Sequence, residues 1–460
     1  MNEKHKDFLK KAEIKAFDKN HRKIINHNIS KYDAAVLKGK QQFSNLAVAR
    51  QRVSFMKHRA INNLENHLKE FEYNFVKNGG KVIWATDAAE AAEEILKIFI
   101  KNEVKMAVKS KSMATEEIEL NHKLESNHIE SVETDLGEYI VQIAGERPYH
   151  IITPAMHKSK EDIARLFHEK FNTPEQSTPE ELTAFVRQIL REKFTKAKIG
   201  VTGANFILAD IGGIALTENE GNALMTVSFP KIHIVIAGID KIIPSVKDLA
   251  LLWPVLASHG TGQYITVYNS IITGPRKENE TDGPEEMYVV LLDNGRSNLL
   301  NQKQQKSALT CIRCGACLNA CPIYRNIGGH TYETVYSGPI GSVITPYMRG
   351  LKDYKHLSFA SSLCGKCTEV CPSAIKLHKL LLYNRRDTVN QKMYGISDTL
   401  FQFGWRTMML NRWIIDKPNA KLKNTAIRMF VKYSWGKRRD LPLIKDKSFN
   451  RWWKDKKGIK

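Results

Sequence analysis

The chain has 460 residues, of which 42% are hydrophobic and 26% charged, the composition of a folded protein with room for two or three domains. Its formal net charge at pH 7 is +21, and its N-terminal segment is charged and amphipathic, without the apolar core of a secretory signal. No run of about eighteen apolar residues occurs, so the sequence excludes a membrane-spanning helix and predicts a cytoplasmic protein.

The first predicted region, residues 1–78, is helical. Apolar side chains between Phe43 and Leu64 recur at roughly helical spacing, with charged residues between them. Gly79 and Gly80 then end the pattern, because glycine readily leaves helical backbone angles.

Residues 79–298 are predicted to form an α/β domain. From KVIWAT to YHIITP, short apolar runs alternate with amphipathic segments, which is the pattern of a parallel sheet covered by helices on both faces. A second sheet-like block begins at KIGVTGA. The predicted strands are KVIWAT, VKMAVKS, SVETD, YHIITP, KIGVTGA, GIALTEN, ALMTVS, IHIVIAGID, YITVYN and MYVVLLD. Helices are predicted in AAEAAEEILKIFI, from MATEEIEL, after Thr178 as the N-cap residue, and in VKDLALLWPVLASH.

All seven cysteines lie between Cys311 and Cys371, in a predicted iron-sulfur domain of residues 299–385. A disulfide framework would spread cysteines through the fold, so this distribution favours one local thiolate site. The stretch CIRCGACLNACP has the C-x2-C-x2-C-x3-C-P spacing of bacterial ferredoxins, whose two-residue spacers aim successive thiolates at one cluster. The fourth cysteine of such a motif ligates a second cluster, which predicts a partner motif.

The partner motif is SSLCGKCTEVCP, in which Ser361 stands where a further cysteine would complete the pattern. Crossing the last cysteine of each motif gives the predicted ligands of a first, [4Fe-4S] cluster: Cys311, Cys314, Cys317 and Cys371. The second cluster receives Cys321, Cys364 and Cys367. It is therefore predicted to be either a [4Fe-4S] cluster with a ligand other than cysteine at one corner or a [3Fe-4S] cluster.

Two other kinds of site compete with iron-sulfur clusters. His330, His356 and His378 lie near enough in sequence to complete a zinc site. Zinc sites rarely contain a third cysteine at this spacing or two Cys-Pro endings. A thioredoxin-like redox pair would need a β-α-β unit, which accompanies neither motif. The interlocking of the two motifs favours iron-sulfur clusters.

Residues 386–460 are predicted to form a basic, aromatic helical tail. Residues 376–460 contain 22 Lys and Arg against 6 Asp, a charge of +16, and five of the seven tryptophans. Such a segment can bind nucleic acid, an acidic protein surface or an anionic membrane face. No nucleic-acid-binding fold is recognised beside it, so a protein partner or a membrane edge is favoured.

In combination, several segments resemble the lactate utilization protein B family of LUD-domain iron-sulfur proteins. They are LTENEGNALMTVSFPKIHIVIAGIDKIIPS, CIRCGACLNACPIYRNIGGHTY, YSGPIGSVITP, SSLCGKCTEVCPSAIKLHKLL and SFNRWWK. The resemblance implies that the α/β domain is a LUD domain, similar in fold to sugar-phosphate isomerases and CoA transferases. It also implies cysteines at these seven positions and two partner subunits with which the chain oxidises L-lactate to pyruvate.

Outside the cysteines, the loop TENEGNA offers a candidate ligand-binding residue, Glu220. Its carboxylate and the turn amides around Gly221 follow a predicted strand, a place where a small anion or a hydroxyl can be held. The same residue types are also typical of an ordinary polar turn. The sequence favours the two interpretations equally.

Together with the cysteine motifs, the family resemblance implies an electron-relay subunit of an NAD-independent lactate-oxidising complex rather than a catalyst that works alone. Its tail would place it at the inner face of the membrane or on a membrane electron acceptor. One alternative puts the oxidation chemistry in the LUD domain, with Glu220 in a pocket. A second alternative is a nucleic-acid-binding protein with a structural cluster.

Overall fold

The computed structural model describes residues 2–411, 413, 419–435 and 440–458. It divides the chain into two compact units, Met1–Thr388 and Val389–Lys460. The N-terminal region, the α/β domain and the iron-sulfur domain therefore share one unit, and the basic tail makes up the other.

The N-terminal region forms four α-helices, Glu3–Phe17, Lys19–Gly39, Leu46–Asn62 and Leu64–Lys77. They contact the iron-sulfur domain as well as the α/β domain. Lys4 Nζ donates a hydrogen bond of 2.7 Å to the hydroxyl of Tyr354, and Arg50 Nε donates one of 2.9 Å to the carbonyl oxygen of Cys371. Buried residues of all three regions form one continuous hydrophobic core. The helical region thus helps to hold the cysteine motifs in place.

The α/β domain contains ten described strands, which are numbered in chain order. They are β1 (Lys81–Ala85), β2 (Met106–Lys109), β3 (Glu130–Glu133), β4 (Ile199–Gly203), β5 (Phe206–Leu208), β6 (Gly213–Glu218), β7 (Ile232–Gly238), β8 (Ile242–Ile243), β9 (Tyr268–Ile272) and β10 (Glu286–Leu292). Six of them form a parallel sheet in the order β1-β10-β7-β4-β2-β3. All seven residues of β7 are buried, as expected for an apolar strand covered on both faces.

Helices accompany these strands, as the sequence predicted. They are Ala88–Lys101, Met113–Glu117, Leu120–Glu125, Leu136–Ile143, Lys160–Phe171, Pro179–Lys196, Asn222–Ser228, Leu249–Gly260 and Arg296–Leu300. The predicted cap at Thr178 is present: its Oγ1 accepts from the Glu181 amide at 3.3 Å, and the Glu181 carboxylate accepts from the Thr178 amide at 2.8 Å. This reciprocal pair satisfies amides that the first helical turn leaves free.

Three predicted strands are wrong in whole or in part. ALMTVS lies in the helix Asn222–Ser228, because the Glu218 carboxylate accepts from the amides of Ala223 and Leu224 and so starts a helix there. YHIITP forms turns, since the ring of His150 accepts two amides of its own loop, those of residues 152 and 153. The strand predicted in YITVYN begins only at residue 268.

The remaining strands form a second, mixed sheet in the order β8-β5-β6-β9. In it β6 runs antiparallel to both β5 and β9, while β5 and β8 are parallel. The sequence predicted a second sheet-like block in this part of the chain without giving the order or direction of its strands, so the antiparallel pairing of β6 is a finding of the structure. The strands of this sheet are short, so their pairing depends on contacts between distant segments more than on a local pattern.

The iron-sulfur domain is helical, as predicted. Its helices are Ala316–Asn319, Pro322–Ile327, Gly338–Arg349, Leu351–Phe359, Lys366–Glu369 and Leu377–Asn390. The tail, considered by itself, contains the helices Ile396–Leu410, Ala420–Phe430, Lys432–Trp435 and Phe449–Lys457. Among the residues that the structure describes, none of the helices combines the length and the apolar character needed to cross a membrane.

Candidate iron-sulfur centres and the adjoining cavity

The cysteine side chains fall into two groups in space. Burial raises the pKa of Cys317 well above its ordinary value, and the nearby sulfurs of Cys311, Cys314 and Cys371 raise it further. Burial also raises the pKa of Cys371 to about 12, with Cys311 as the next cause. These four cysteines are the ones predicted to hold the first cluster.

The second group contains the other three cysteines. Burial raises the pKa of Cys367 to about 11, and the sulfurs of Cys321 and Cys364 raise it further. Its membership matches the predicted ligand set of the second cluster. The structure thus brings the seven predicted residues together in the crossed arrangement, while ligation itself remains a prediction.

The surroundings of the sulfurs fit iron-sulfur clusters. The amide of Arg313 donates to Cys311 Sγ at 3.4 Å, and the amide of Ile375 donates to Cys371 Sγ at the same distance. Such N–H···S bonds are among the features that tune protein-bound clusters. Several thiolates buried side by side would repel one another, and bound iron would offset that repulsion. A bound cluster supplies reversible one-electron transfer.

The two motifs form loops with the same backbone course, residues 311–321 (the first cysteine loop) and residues 361–371 (the second cysteine loop). Arg313 and Leu363 occupy matching positions with φ of 58° and 56°, both in the left-handed region. Gly315 and Gly365, with φ of 73° and 82°, directly follow Cys314 and Cys364, and each precedes a short helix. The chain therefore contains a structural repeat within its iron-sulfur domain.

This repeat shows what Ser361 corresponds to. In the first cysteine loop, Cys311 Sγ accepts from the amide two residues later, that of Arg313. In the second cysteine loop, Ser361 Oγ accepts from the amide of Leu363 at 3.2 Å. Ser361 consequently presents an oxygen where the first cysteine loop presents a sulfur.

The two cysteine groups differ in exposure. In the first group Cys314, Cys317 and Cys371 are between 7% and 9% exposed, and Cys311 is partly buried. In the second group Cys364 is exposed. The first group is thus enclosed by protein, whereas the second reaches the surface.

The three histidines of the zinc alternative have other partners. His330 Nε2 lies 2.7 Å from the carbonyl oxygen of Arg147, and His378 Nδ1 lies 2.7 Å from the hydroxyl oxygen of Thr368. The ring of His356 stacks on that of His5 with a centroid distance of 5.3 Å. None of these contacts involves a cysteine, so they give no support to a zinc site that joins these histidines to the cysteine motifs.

A buried ionic network lies behind the first cysteine loop. Asp240, at the end of β7, accepts hydrogen bonds from Arg296 Nε at 2.6 Å and from Arg313 Nη2 at 3.3 Å. Arg296 also donates two bonds of 2.8 Å to Glu117, which accepts a third of 2.6 Å from the Tyr336 hydroxyl. Burial alone would raise the pKa of Asp240, but the two guanidinium groups hold it well below its ordinary value. The network ties the first cysteine loop to the parallel sheet.

Two lysines add positive charge near Cys311. Lys57 Nζ donates to the carbonyl oxygens of Asp240 at 2.7 Å and Ile242 at 3.2 Å. Burial lowers the pKa of Lys57 and that of Lys241 to about 8 in each case. A negatively charged cluster at the first group would therefore lie among cationic side chains, which favours the reduced, more negative state.

A cavity of about 480 Å³ lies at the carboxyl ends of β2, β4, β6 and β7. This size is typical of small-molecule sites. Ligands commonly bind at that edge of a parallel sheet. Its lining extends to Cys314 of the first group. The cavity therefore joins the α/β domain to the predicted first cluster.

Glu220, the candidate from the sequence, lines this cavity and is exposed. Within the described part of the chain, its carboxylate accepts a hydrogen bond of 3.2 Å from the neighbouring Asn219 amide. Its neighbour Glu218 instead holds the start of a helix. Sequence reasoning missed two cationic residues of the same cavity, Lys241 and Arg313, since neither has a local pattern that marks it.

Comparison with known proteins matches this architecture. The LUD domain family matches residues 68–292, and the 4Fe-4S dicluster domain family matches residues 307–375. The fold and the site thus define a LUD-domain protein with an iron-sulfur dicluster module.

Curated relatives narrow the assignment. Lactate utilization protein B of Bacillus pumilus (strain SAFR-032) is 41% identical over 440 residues, which cover 91% of this chain and 90% of the relative. The proteins of the same name from Bacillus cereus (strain B4264) and Bacillus thuringiensis (strain Al Hakam) are 41% and 40% identical over 434 residues, covering 92% of this chain and 91% of each relative. The chain belongs to the lactate utilization protein B family, which confirms the resemblance seen in the sequence.

A solved structure was also matched, that of a DUF162 family protein from Deinococcus radiodurans. It covers 50% of this chain and 98% of its own, with 13% sequence identity and a TM-score of 0.29. A likeness this slight supports no further conclusion.

Proposed function

We propose that this iron-sulfur protein is the electron-transfer subunit of a complex that oxidises L-lactate to pyruvate. The observation that carries the proposal is the placement of the two cysteine groups. One is enclosed and borders a cavity of the α/β domain, and the other reaches the surface at Cys364. Electrons would enter at the first cluster and leave from the second.

The chemistry of the reaction is compatible with such an arrangement. Oxidation of a 2-hydroxy acid to a 2-oxo acid releases two electrons and two protons, whereas an iron-sulfur cluster accepts one electron at a time. Two neighbouring clusters can accept the pair and pass the electrons on singly. The name of the relatives, lactate utilization protein B, supports lactate as the substrate of the complex.

For the cofactors, we propose a [4Fe-4S] cluster on Cys311, Cys314, Cys317 and Cys371. The second cluster would also be [4Fe-4S], with its fourth iron facing Ser361, because the loop places that oxygen as it places Cys311 Sγ. Iron and sulfide analysis of anaerobically purified protein, combined with EPR, tests this directly. Eight irons per chain support the proposal, and seven indicate a [3Fe-4S] second cluster.

The division of labour between subunits can be tested with L-lactate and an artificial electron acceptor. We expect no turnover by this chain alone and turnover when the two partner subunits of the complex are added. The clusters of this chain should then be reduced by lactate, as monitored by EPR. Robust turnover by the chain alone would instead favour the alternative in which the LUD domain oxidises the substrate.

For the tail, we propose attachment to an anionic membrane surface, where a membrane electron acceptor would lie. The helix Ile396–Leu410 exposes large apolar side chains, among them Phe401, Phe403 and Trp405. The helix Phe449–Lys457 combines exposed aromatic residues with lysines. Aromatic and cationic residues together are typical of helices that lie in a membrane interface.

Sedimentation with lipid vesicles tests this attachment. The full chain should bind vesicles that contain anionic phospholipid and not vesicles of zwitterionic lipid alone. Absence of binding to both would leave a partner protein as the contact of the tail. Binding to nucleic acid at moderate salt, in place of vesicles, would support the nucleic-acid alternative.

A further inference from the structure

One buried guanidinium group in the cavity, that of Arg313, is only partly paired: it lies over the Tyr336 ring at 4.6 Å, but two of its nitrogens make no hydrogen bond within the described part of the chain. The side chain of Arg313 is 7% exposed, and its Nη2 donates to Asp240. Its buried Nε and Nη1 have no hydrogen-bond partner among the residues that the structure describes. Leaving buried donors unpaired costs free energy, because they lose their bonds to water, so native structures rarely do so without a ligand or water. Arg313 lines the cavity, where such a ligand can reach it.

A second cation without a partner lines the same cavity. Within the described part of the chain, no hydrogen bond or ion pair involves Lys241 Nζ, although the residue is only partly exposed. Arg313 and Lys241 are close enough to repel each other electrostatically, and both lie near Cys311. Two neighbouring cations with free donors are a binding site for an anion such as a carboxylate.

Other charges in the cavity limit which anion fits. Asp135, Glu218 and Glu220 also line it. Lys111, which lines it too, lies 3.4 Å from Asp135 and donates to the carbonyl oxygen of Ile152 at 3.0 Å, and Arg296 is paired with Asp240 and Glu117. Carboxylates repel a second negative charge on a ligand but accept a hydrogen bond from a hydroxyl group. The cavity therefore favours a monoanion that also carries a hydroxyl over a dicarboxylate or a phosphate dianion.

We propose that this cavity binds a short 2-hydroxy monocarboxylate, with its carboxylate on Arg313 and Lys241. The cavity extends to Cys314, so the acid would lie beside the first cluster. Lactate as the specific acid rests on the proposed function, whereas the anion site itself rests on the unpaired cations. The chain would then be more than a relay, because it would hold substrate at the place where electrons enter.

The test uses the anaerobically purified full chain with its clusters loaded, and isothermal titration calorimetry with L-lactate, pyruvate, malonate and inorganic phosphate. L-lactate should bind more tightly than pyruvate, which lacks the hydroxyl donor, and more tightly than either dianion. Lys241→Met should weaken L-lactate binding roughly ten- to a hundredfold, the effect of one charge-assisted hydrogen bond. Lys247→Met, a change at an exposed lysine six residues away, is the matched control and should not alter binding.

A second variant tests the cavity without removing a charge. Ala204→Leu fills space at the end of β4, where Ala204 lines the cavity, and should also weaken binding. Addition of L-lactate should shift the EPR signal of the first cluster and leave that of the second unchanged. Iron content and melting temperature of each variant confirm that folding and cluster loading are retained.

Each outcome decides between the proposals. The cavity assignment would be overturned if L-lactate gave no heat of binding with the loaded protein. It would also be overturned if both Lys241→Met and Ala204→Leu left L-lactate binding unchanged. Phosphate binding equal to that of L-lactate would overturn the monocarboxylate class. If the clusters load and accept electrons in the assembled complex but lactate does not bind to this chain, only the cavity site is refuted. Lactate binding without reduction of the clusters in that complex would refute the relay and leave the site standing.

Discussion

The first and second cysteine loops follow the same backbone course in different surroundings. Behind the first cysteine loop lies the buried network of Asp240, Arg296 and Glu117. The second cysteine loop contains an ion pair between Lys366 and Glu369, whose side chains are 61% and 64% exposed. The first cysteine loop is therefore embedded in the protein, and the second faces solvent.

This contrast shows that spacing and surroundings determine different properties. The motif sets which sulfurs converge, because that depends on a few residues of local backbone. The surroundings set charge and access: cations lie near Cys311, and a cavity reaches Cys314. Two cysteine loops with the same backbone course can therefore serve as the entry and the exit of an electron path.

The largest effect is expected from substituting Cys371, the cysteine of the second loop that is predicted to ligate the first cluster. Cys371→Ala changes the second cysteine loop, yet Cys371 lies with the sulfurs of the first group. The variant should lose the EPR signal of the first cluster and about half of the iron, while the second signal remains. Cys364→Ala, in the same loop, should affect the second signal alone. The opposite pattern would refute the crossed assignment.

The embedded network should matter more than the exposed pair. Asp240→Asn leaves Arg296 and Arg313 with unbalanced buried charge, and breaking a buried pair typically costs about 3 to 5 kcal/mol in the free energy of unfolding. Glu369→Gln, the control in the second cysteine loop, should cost about 0 to 1 kcal/mol, because exposed pairs contribute little. Melting temperatures of the two loaded variants, measured side by side, test the difference. Equal shifts would contradict the contrast between the loops.

Matched glycines provide a smaller comparison. Gly315 and Gly365 both have positive φ, so an alanine at either position costs about 1 to 2 kcal/mol in backbone strain. At Gly315 the added methyl would also meet Ile152 Cδ1 at 2.9 Å, whereas at Gly365 nothing lies within 4 Å. Gly315→Ala should therefore destabilise by about 1 kcal/mol more than Gly365→Ala, since overpacking adds to the strain. Thermal melting of both variants measures this, and a larger loss at Gly365 would argue against an embedded first loop.

The sequence predicted the parts of the site that depend on local spacing. The cysteine groups follow from two-residue spacers, and the α/β alternation follows from apolar periodicity. The bond between Arg313 and Asp240 joins residues 73 positions apart and has no local signature. Lys241 likewise becomes notable only because its neighbours in space leave it unpaired. Long-range charge contacts of this kind require the folded structure.

The error at ALMTVS has a similar cause. A short apolar run fits a strand or a helix equally well, so periodicity alone cannot decide between them. The helix forms because Glu218, at the end of β6, holds the amides of Ala223 and Leu224 at 2.7 and 2.8 Å. Glu218 lies in the same loop as the candidate Glu220. Its carboxylate proves to be largely occupied by this structural contact, which leaves Glu220 as the candidate facing the cavity.

The smallest effect, confined to one cluster, is expected at Ser361. Since its Oγ takes the place of Cys311 Sγ in the repeat, Ser361→Cys should be accommodated and should give a second cluster with four sulfur ligands. Ser361→Ala removes the oxygen and should change only the second EPR signal, with the first signal and the melting temperature unchanged. Loss of the first signal in Ser361→Ala would mean that the two loops do not divide their ligands as proposed. An unchanged second signal in both variants would show that the fourth iron corner does not face this residue.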